Sequence, residues 1–160
     1  MKKERDEILE KFKVMKGKKV RALGGEFEIK EVRKGGQGVV LILVGKNTVL
    51  AAKTLRALPE AEDYEARIAR FKREVDVWVK MGRYPYIVGA VDFEIIEGHP
   101  FVLMDYVFGR SLSEMLWPRS SDGERREERG RPLDVRRALR YGIHLCYAME
   151  HAVREVPGFV

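Results

Sequence analysis

Hydrophobic and polar positions change their spacing several times along the chain, and each change predicts a new element. In "MKKERDEILEKFKVMKGKKV", Ile8, Leu9, Phe12 and Met15 fall near one face of a helix with charges opposite, which predicts a basic helix or arm over residues 1–24. A docked helix and a solvated arm are the ordinary uses of such a segment, and attraction to an anionic surface is a third. After Gly24-Gly25, "FEIKEVR" places Phe27 and Ile29 on one side of a strand, and "VVLILV" is an unbroken apolar run. Between them "RKGGQG" holds three glycines within four residues, so the two runs read as a hairpin across a glycine-rich turn. "GKN" at 45–47 marks the next turn, and "TVLAAKTL" reads as a third strand whose one charge is Lys53.

From about Glu60 to Gly82 the period becomes helical, with Ile68, Phe71, Val75 and Trp78 recurring at spacings of three and four. Glu74 falls inside that stripe, where an acid needs a partner; Arg70, one turn away, is the local one. "IVGAVDFEII", the turn "EGH" and "PFVLMDYV" predict two more strands joined as a hairpin. Ser111-Leu112-Ser113-Glu114 has the form of a capping box and starts a short helix. Residues 117–132 contain nine charged residues, two prolines and two glycines, which predicts a flexible surface loop. A long helix then runs from about Leu133 to Arg154, with Val135, Ala138, Leu139, Gly142, Cys146, Met149 and Val153 along one face, and Pro157-Gly158 ends it. No internal repeat is present.

A chain of 160 residues with 45% hydrophobic content can bury one domain-sized core. The formal charge of +6 does not imply nucleic acid as partner, because residues 1–21 hold nine Lys or Arg and four Asp or Glu and the remainder carries only +1. There is no signal-peptide pattern and no apolar run long enough to span a bilayer, so the expected location is cytoplasmic. Cys146 has no second thiol for a disulfide or a shared metal and reads as core.

The candidate chemistry lies in the glycines and the lone lysine. A glycine-rich turn either cradles phosphate with its backbone or simply reverses the chain. A lysine in an apolar strand either reaches water past the strand edge or meets a negative group, because an unpaired buried ammonium is costly. The order of elements around them resembles the eukaryotic-like (Hanks-type) Ser/Thr protein kinases. "RKGGQGVV" is similar to the family's G-x-G-x-x-G-x-V from the second glycine onward, "LAAK" to V-A-I-K, "FKREVDVWVKM" to its helix C, and "PFVLMDYVFGRSL" to its hinge phrase.

That resemblance implies an α+β fold: an N-terminal lobe at 25–107 with a five-stranded antiparallel sheet and helix C, then at 108–160 the start of the larger lobe with helices D and E around the loop 117–132. It implies ATP as ligand, with Gly35, Gly36, Gln37 and Gly38 over the phosphates, Val32, Val40 and Ala51 against adenine, and Lys53 on the phosphates, paired with Glu74. Met104 would line the back of the pocket, Asp105, Tyr106 and Val107 would form the hinge, and Ser111 would lie near the ribose. Arg33 replaces the family's first glycine, and its side chain either crowds the phosphates or lies along the strand toward solvent.

The His-Arg-Asp catalytic loop and the Asp-Phe-Gly motif are absent. None of His99, His144 and His151 precedes Arg-Asp, and Asp92-Phe93-Glu94 lies before the hinge and reads as strand. Val160 would stand immediately before the catalytic-loop histidine. The resemblance therefore implies the ATP-binding portion of a Ser/Thr kinase acting on a protein substrate, inactive alone, with Mg²⁺ held only in the full-length domain. The apolar face of helix 133–154 would await the missing lobe, a partner or self-association. A natural truncated regulatory module and a small-molecule kinase of related fold are the alternatives.

Overall fold

The computed structural model describes residues 2–34, 38–54, 63–117 and 130–158. Its elements are α1 (Lys2–Val14), β1 (Lys19–Ala22), β2 (Gly25–Lys34), β3 (Val39–Val44), β4 (Val49–Thr54), α2 (Tyr64–Lys80), β5 (Ala90–Ile96), β6 (His99–Asp105), α3 (Leu112–Leu116) and α4 (Val135–Glu155). The strands form one antiparallel sheet of six in the order β1-β2-β3-β4-β6-β5. The five expected strands are all present, and β1 adds a sixth at one edge. Its residues fell within the expected N-terminal arm, yet Val20 and Ala22 alternate inward against exposed Lys19 and Arg21, the period of a half-buried strand.

Turn chemistry closes the outer hairpins. β1 and β2 are joined by Leu23-Gly24 at φ 51° and 70°, and β5 and β6 by Glu97-Gly98 at φ 51° and 79°. Two consecutive positive-φ residues are the signature of the two-residue turn whose twist matches a hairpin, and glycine at the second position makes it cheap. At the other end of β3, the Val39 amide donates to the buried Thr54 hydroxyl at 2.9 Å, which ties the return of the glycine-rich stretch to the end of β4.

Strand alternation sorts the sheet into two faces. One face packs Phe27, Ile29, Val39, Leu41, Leu43, Leu50, Ala52, Phe101 and Leu103 against α1. α1 is thus a docked helix, with Leu9 and Phe12 in the core and Ile8 and Met15 at its margin. The Phe12 ring is fully buried and meets Phe101 edge-on at 5.3 Å and 89°. The other face receives α2, whose Phe71 and Val75 pack on Val102, with Trp78, Ala90, Phe93 and Met104 around them. Trp78 Nε1 donates to the Val88 carbonyl at 2.8 Å, anchoring α2 to the approach of β5.

α3 begins with the expected capping box: the Glu114 amide donates to Ser111 Oγ, and the Ser111 amide donates to the Glu114 carboxylate. α4 starts at Asp134, whose carboxylate accepts from the Arg137 amide at 3.0 Å. It docks through alanines and histidines and leaves its apolar face uncovered, as the sequence implies. Ala148 and Ala152 are buried, and His144 and His151 stack on Tyr86 and Tyr84, each pair 4.1 Å apart. The apolar positions Val135, Leu139, Met149 and Val153 lie away from this contact and are exposed, and Cys146 is exposed with them rather than core. Small alanines permit close approach where the rings stack, so this face wins over the more hydrophobic one.

His151 Nε2 lies 2.7 Å from the Met81 carbonyl, and Arg154 Nη2 lies 3.2 Å from Nδ1. A carbonyl only accepts, so Nε2 carries a proton and donates it to Met81. Among the described residues no helix is long and apolar enough to cross a membrane.

Because Phe12 is wholly buried, Phe12→Ala is expected to lower unfolding free energy in urea by about 3–5 kcal/mol. A loss below about 1 kcal/mol would show that α1 is not part of the cooperative core.

Candidate functional site

The α2 side of the sheet brings together most of the residues singled out in the central strands. Strand register sets them in two rows. Across β3, β4 and β6 one row reads Val40, Lys53, Val102, and the next reads Ile42, Ala51, Met104. Lys53 is half-buried between Val40 and Val102, with Ala51 and Met104 on the same face one step along. Among the described residues Lys53 has neither a hydrogen bond nor an ion pair, so a cation in an apolar setting is left without a neutralising group.

Asp105 ends β6; its amide donates to the Gly89 carbonyl at 2.9 Å, and a Cβ on Gly89 would stand 2.9 Å from its carboxylate. Tyr106 is half-buried, Val107 is exposed, and Ser111 caps α3 a few residues on. Gly38 is buried at the head of β3, whereas Gly35, Gly36 and Gln37 lie outside the described residues.

Two assignments need correction. Val32 does not share the face of Lys53. The β2–β3 register shifts between Ile29 and Glu31, so Lys30 is an extra residue, and Val32 pairs with Leu41 and packs against the α1 cluster. Glu74 is exposed rather than inward, and no hydrogen bond or ion pair joins it to Lys53. At about 100° per residue it lies ~60° round the helix from Phe71, and α2 docks by Phe71, Val75 and Trp78 instead. Glu74 borders a cavity of about 490 Å³ with Arg70, Arg73, Val77, Trp78 and Met81.

The same bulge turns Glu31 and Arg33 onto the Lys53 face, opposite Ile42 and Val40. Arg33 donates from Nε and Nη2 to both oxygens of Glu31 at 2.7 Å, and Nη2 reaches the Tyr106 hydroxyl at 3.4 Å. The Arg33 hydrogen bond holds the Glu31 carboxyl below the usual carboxylate range, and Glu31 in turn raises Arg33. Glu114 is lowered by the hydrogen bonds of its capping box, chiefly from the Ser111 backbone. The Glu31–Arg33 pair was not singled out in the sequence; its signal is a Glu-x-Arg alternation, visible only once the bulge is known. Among the described residues no three His, Cys, Asp or Glu side chains gather as candidate metal ligands.

Three crystal structures of the Mycobacterium tuberculosis PknI kinase domain superpose on this chain. One, of a cysteine-to-alanine mutant, gives a TM-score of 0.63 at 21% identity, covering 87% of this chain and 51% of that one. The other two give 0.62 and 0.60 at 22% identity, again over 87% of this chain and 50% and 51% of theirs. The fold is that of a protein kinase domain. It comprises the smaller, sheet-bearing lobe and the first helices of the larger lobe, and the chain spans about half the length of those structures. No family model matches the sequence, and no curated protein matches it.

With no partner for Glu74 among the described residues, Glu74→Gln is expected to shift unfolding free energy of the ligand-free chain by less than about 0.5 kcal/mol. A loss above about 1 kcal/mol in thermal or urea unfolding would show that the carboxylate is neutralised by a neighbour.

Proposed function

We propose that this chain is the ATP-binding portion of a Ser/Thr protein kinase. In the whole domain the reaction is transfer of the γ-phosphoryl group of ATP to hydroxyls of a protein substrate in the cytoplasm. One observation carries the reading: Lys53, half-buried and without a neutralising partner among the described residues, shares a sheet face with Val40, Ala51 and Met104 in a kinase fold. A nucleotide supplies both things that face lacks, an anion for the ammonium and a flat apolar ring for the aliphatic row.

In this reading Gly35, Gly36, Gln37 and Gly38 cover the phosphates. The backbone of Asp105, Tyr106 and Val107 reads the purine edge, and Ser111 lies beside the ribose. Glu74 joins Lys53 only after α2 moves toward β4. Residues 1–160 contain no His-Arg-Asp or Asp-Phe-Gly, so this chain alone binds nucleotide without transferring phosphate, and Mg²⁺ is held by the whole domain.

The exposure of Val135, Leu139, Met149 and Val153 supports a second reading, a kinase-like module that docks on a partner or on itself through α4. In the first reading the rest of the larger lobe covers that face. In-frame His-Arg-Asp and Asp-Phe-Gly motifs after Val160 favour the enzyme, and a stop codon favours the module.

Titration calorimetry with ATP is expected to show that Lys53→Met weakens binding by about 10- to 100-fold, the effect of losing one charge-assisted contact. Equal affinity in the two proteins would remove Lys53 from the site.

A further inference from the structure

Arg33 stands where a phosphate-cradling glycine stretch has its first glycine, and the bulge at Lys30 turns its side chain toward the face of Lys53. The two cations are in opposite electrostatic states. Lys53 has no acidic partner among the described residues, whereas Arg33 is neutralised by both oxygens of Glu31. Arg33 is directed at Tyr106, with its guanidinium carbon 5.9 Å from the ring centre and Nη2 3.4 Å from the hydroxyl. Tyr106 is braced edge-on by Phe108, their centroids 4.7 Å apart. The contact joins the strand entering the glycine-rich stretch to the segment leaving β6, the two segments between which a purine would lie.

We infer that Arg33 sets the nucleotide affinity of the site by competition: paired with Glu31 and resting on Tyr106, it bars the purine end, and a ligand enters only when that contact opens. The inference rests on the nucleotide reading above and adds a residue that lowers the affinity of every purine ligand by a common factor. Glu31 serves as the positioning residue, because its two hydrogen bonds fix the plane of the guanidinium. The bar acts on the purine end, so it opposes ATP and adenosine alike.

The experiment is calorimetric titration of the full chain with ATP and, separately, with adenosine, for wild type and Arg33→Ala. It is paired with amide hydrogen exchange of the ligand-free proteins at Val39 and Val40. Arg33→Ala is expected to bind both ligands about three- to tenfold more tightly, the combined scale of an exposed ion pair and an exposed cation–π contact. It is also expected to exchange faster at Val39 and Val40. Tyr106→Ala removes the contact from the other side and is expected to reproduce the faster exchange, which guards against a folding defect peculiar to Arg33→Ala. Weaker ATP binding by Arg33→Ala with adenosine unchanged would make Arg33 a phosphate contact and overturn the competition. Unchanged affinity together with unchanged exchange would overturn it as well. If wild type and Arg33→Ala both fail to bind ATP, the nucleotide reading fails and the competition with it, while the exchange rates still decide whether the contact tethers the two segments.

Discussion

A strand has two sides, and β4 is buried on both. Leu50 and Ala52 point into the cluster closed by α1, while Ala51 and Lys53 point to the side where α2 packs. That division constrains everything around it. Short side chains at Ala51 and Ala52 keep the centre of the sheet thin, and Lys53 is placed in an apolar row by the same alternation that puts Ala52 in the core. A shift of one residue in this strand would exchange the two sets and leave an ammonium in the α1 core. The packing of Phe12 on Phe101 and the position of the candidate site are two readouts of one register.

What was legible in the sequence follows from how local the signal is. The β5–β6 turn at Glu97-Gly98, the capping box at Ser111 and the helical stripe of Phe71, Val75 and Trp78 depend on residues within one turn or hairpin, and each forms where the pattern places it. β1 was hidden because its four residues follow a helix and share its basic character. The bulge at Lys30 has no local signature, yet it decides that Val32 faces α1 and Arg33 faces Lys53. Strand pairing is set between chain segments, and a single extra residue reverses every side chain beyond it.

Glu74 and Cys146 depart from expectation for a shared reason. Periodicity identifies an apolar stripe but not which part of it meets a neighbour. On α2 the contact is centred on Phe71 and Val75, which leaves Glu74 at the margin. On α4 the contact uses alanine and histidine rather than the leucine, isoleucine and valine positions, so the more hydrophobic side is left outward and takes Cys146 with it. Aromatic stacking and a directed hydrogen bond fix an orientation that burial of area alone would not select.

The bond from His151 to the Met81 carbonyl lies at the C-terminal end of α2, which sets how that helix can swing. Any rotation that preserves this bond has its pivot at Met81, as a lever has its fulcrum. Glu74 lies seven residues away, about 10 Å along the axis at ~1.5 Å per residue, so a tilt of about 20° carries it ~4 Å while the pivot stays still. The imidazole clasp therefore confines travel to the far end of the lever, the end that begins at Tyr64.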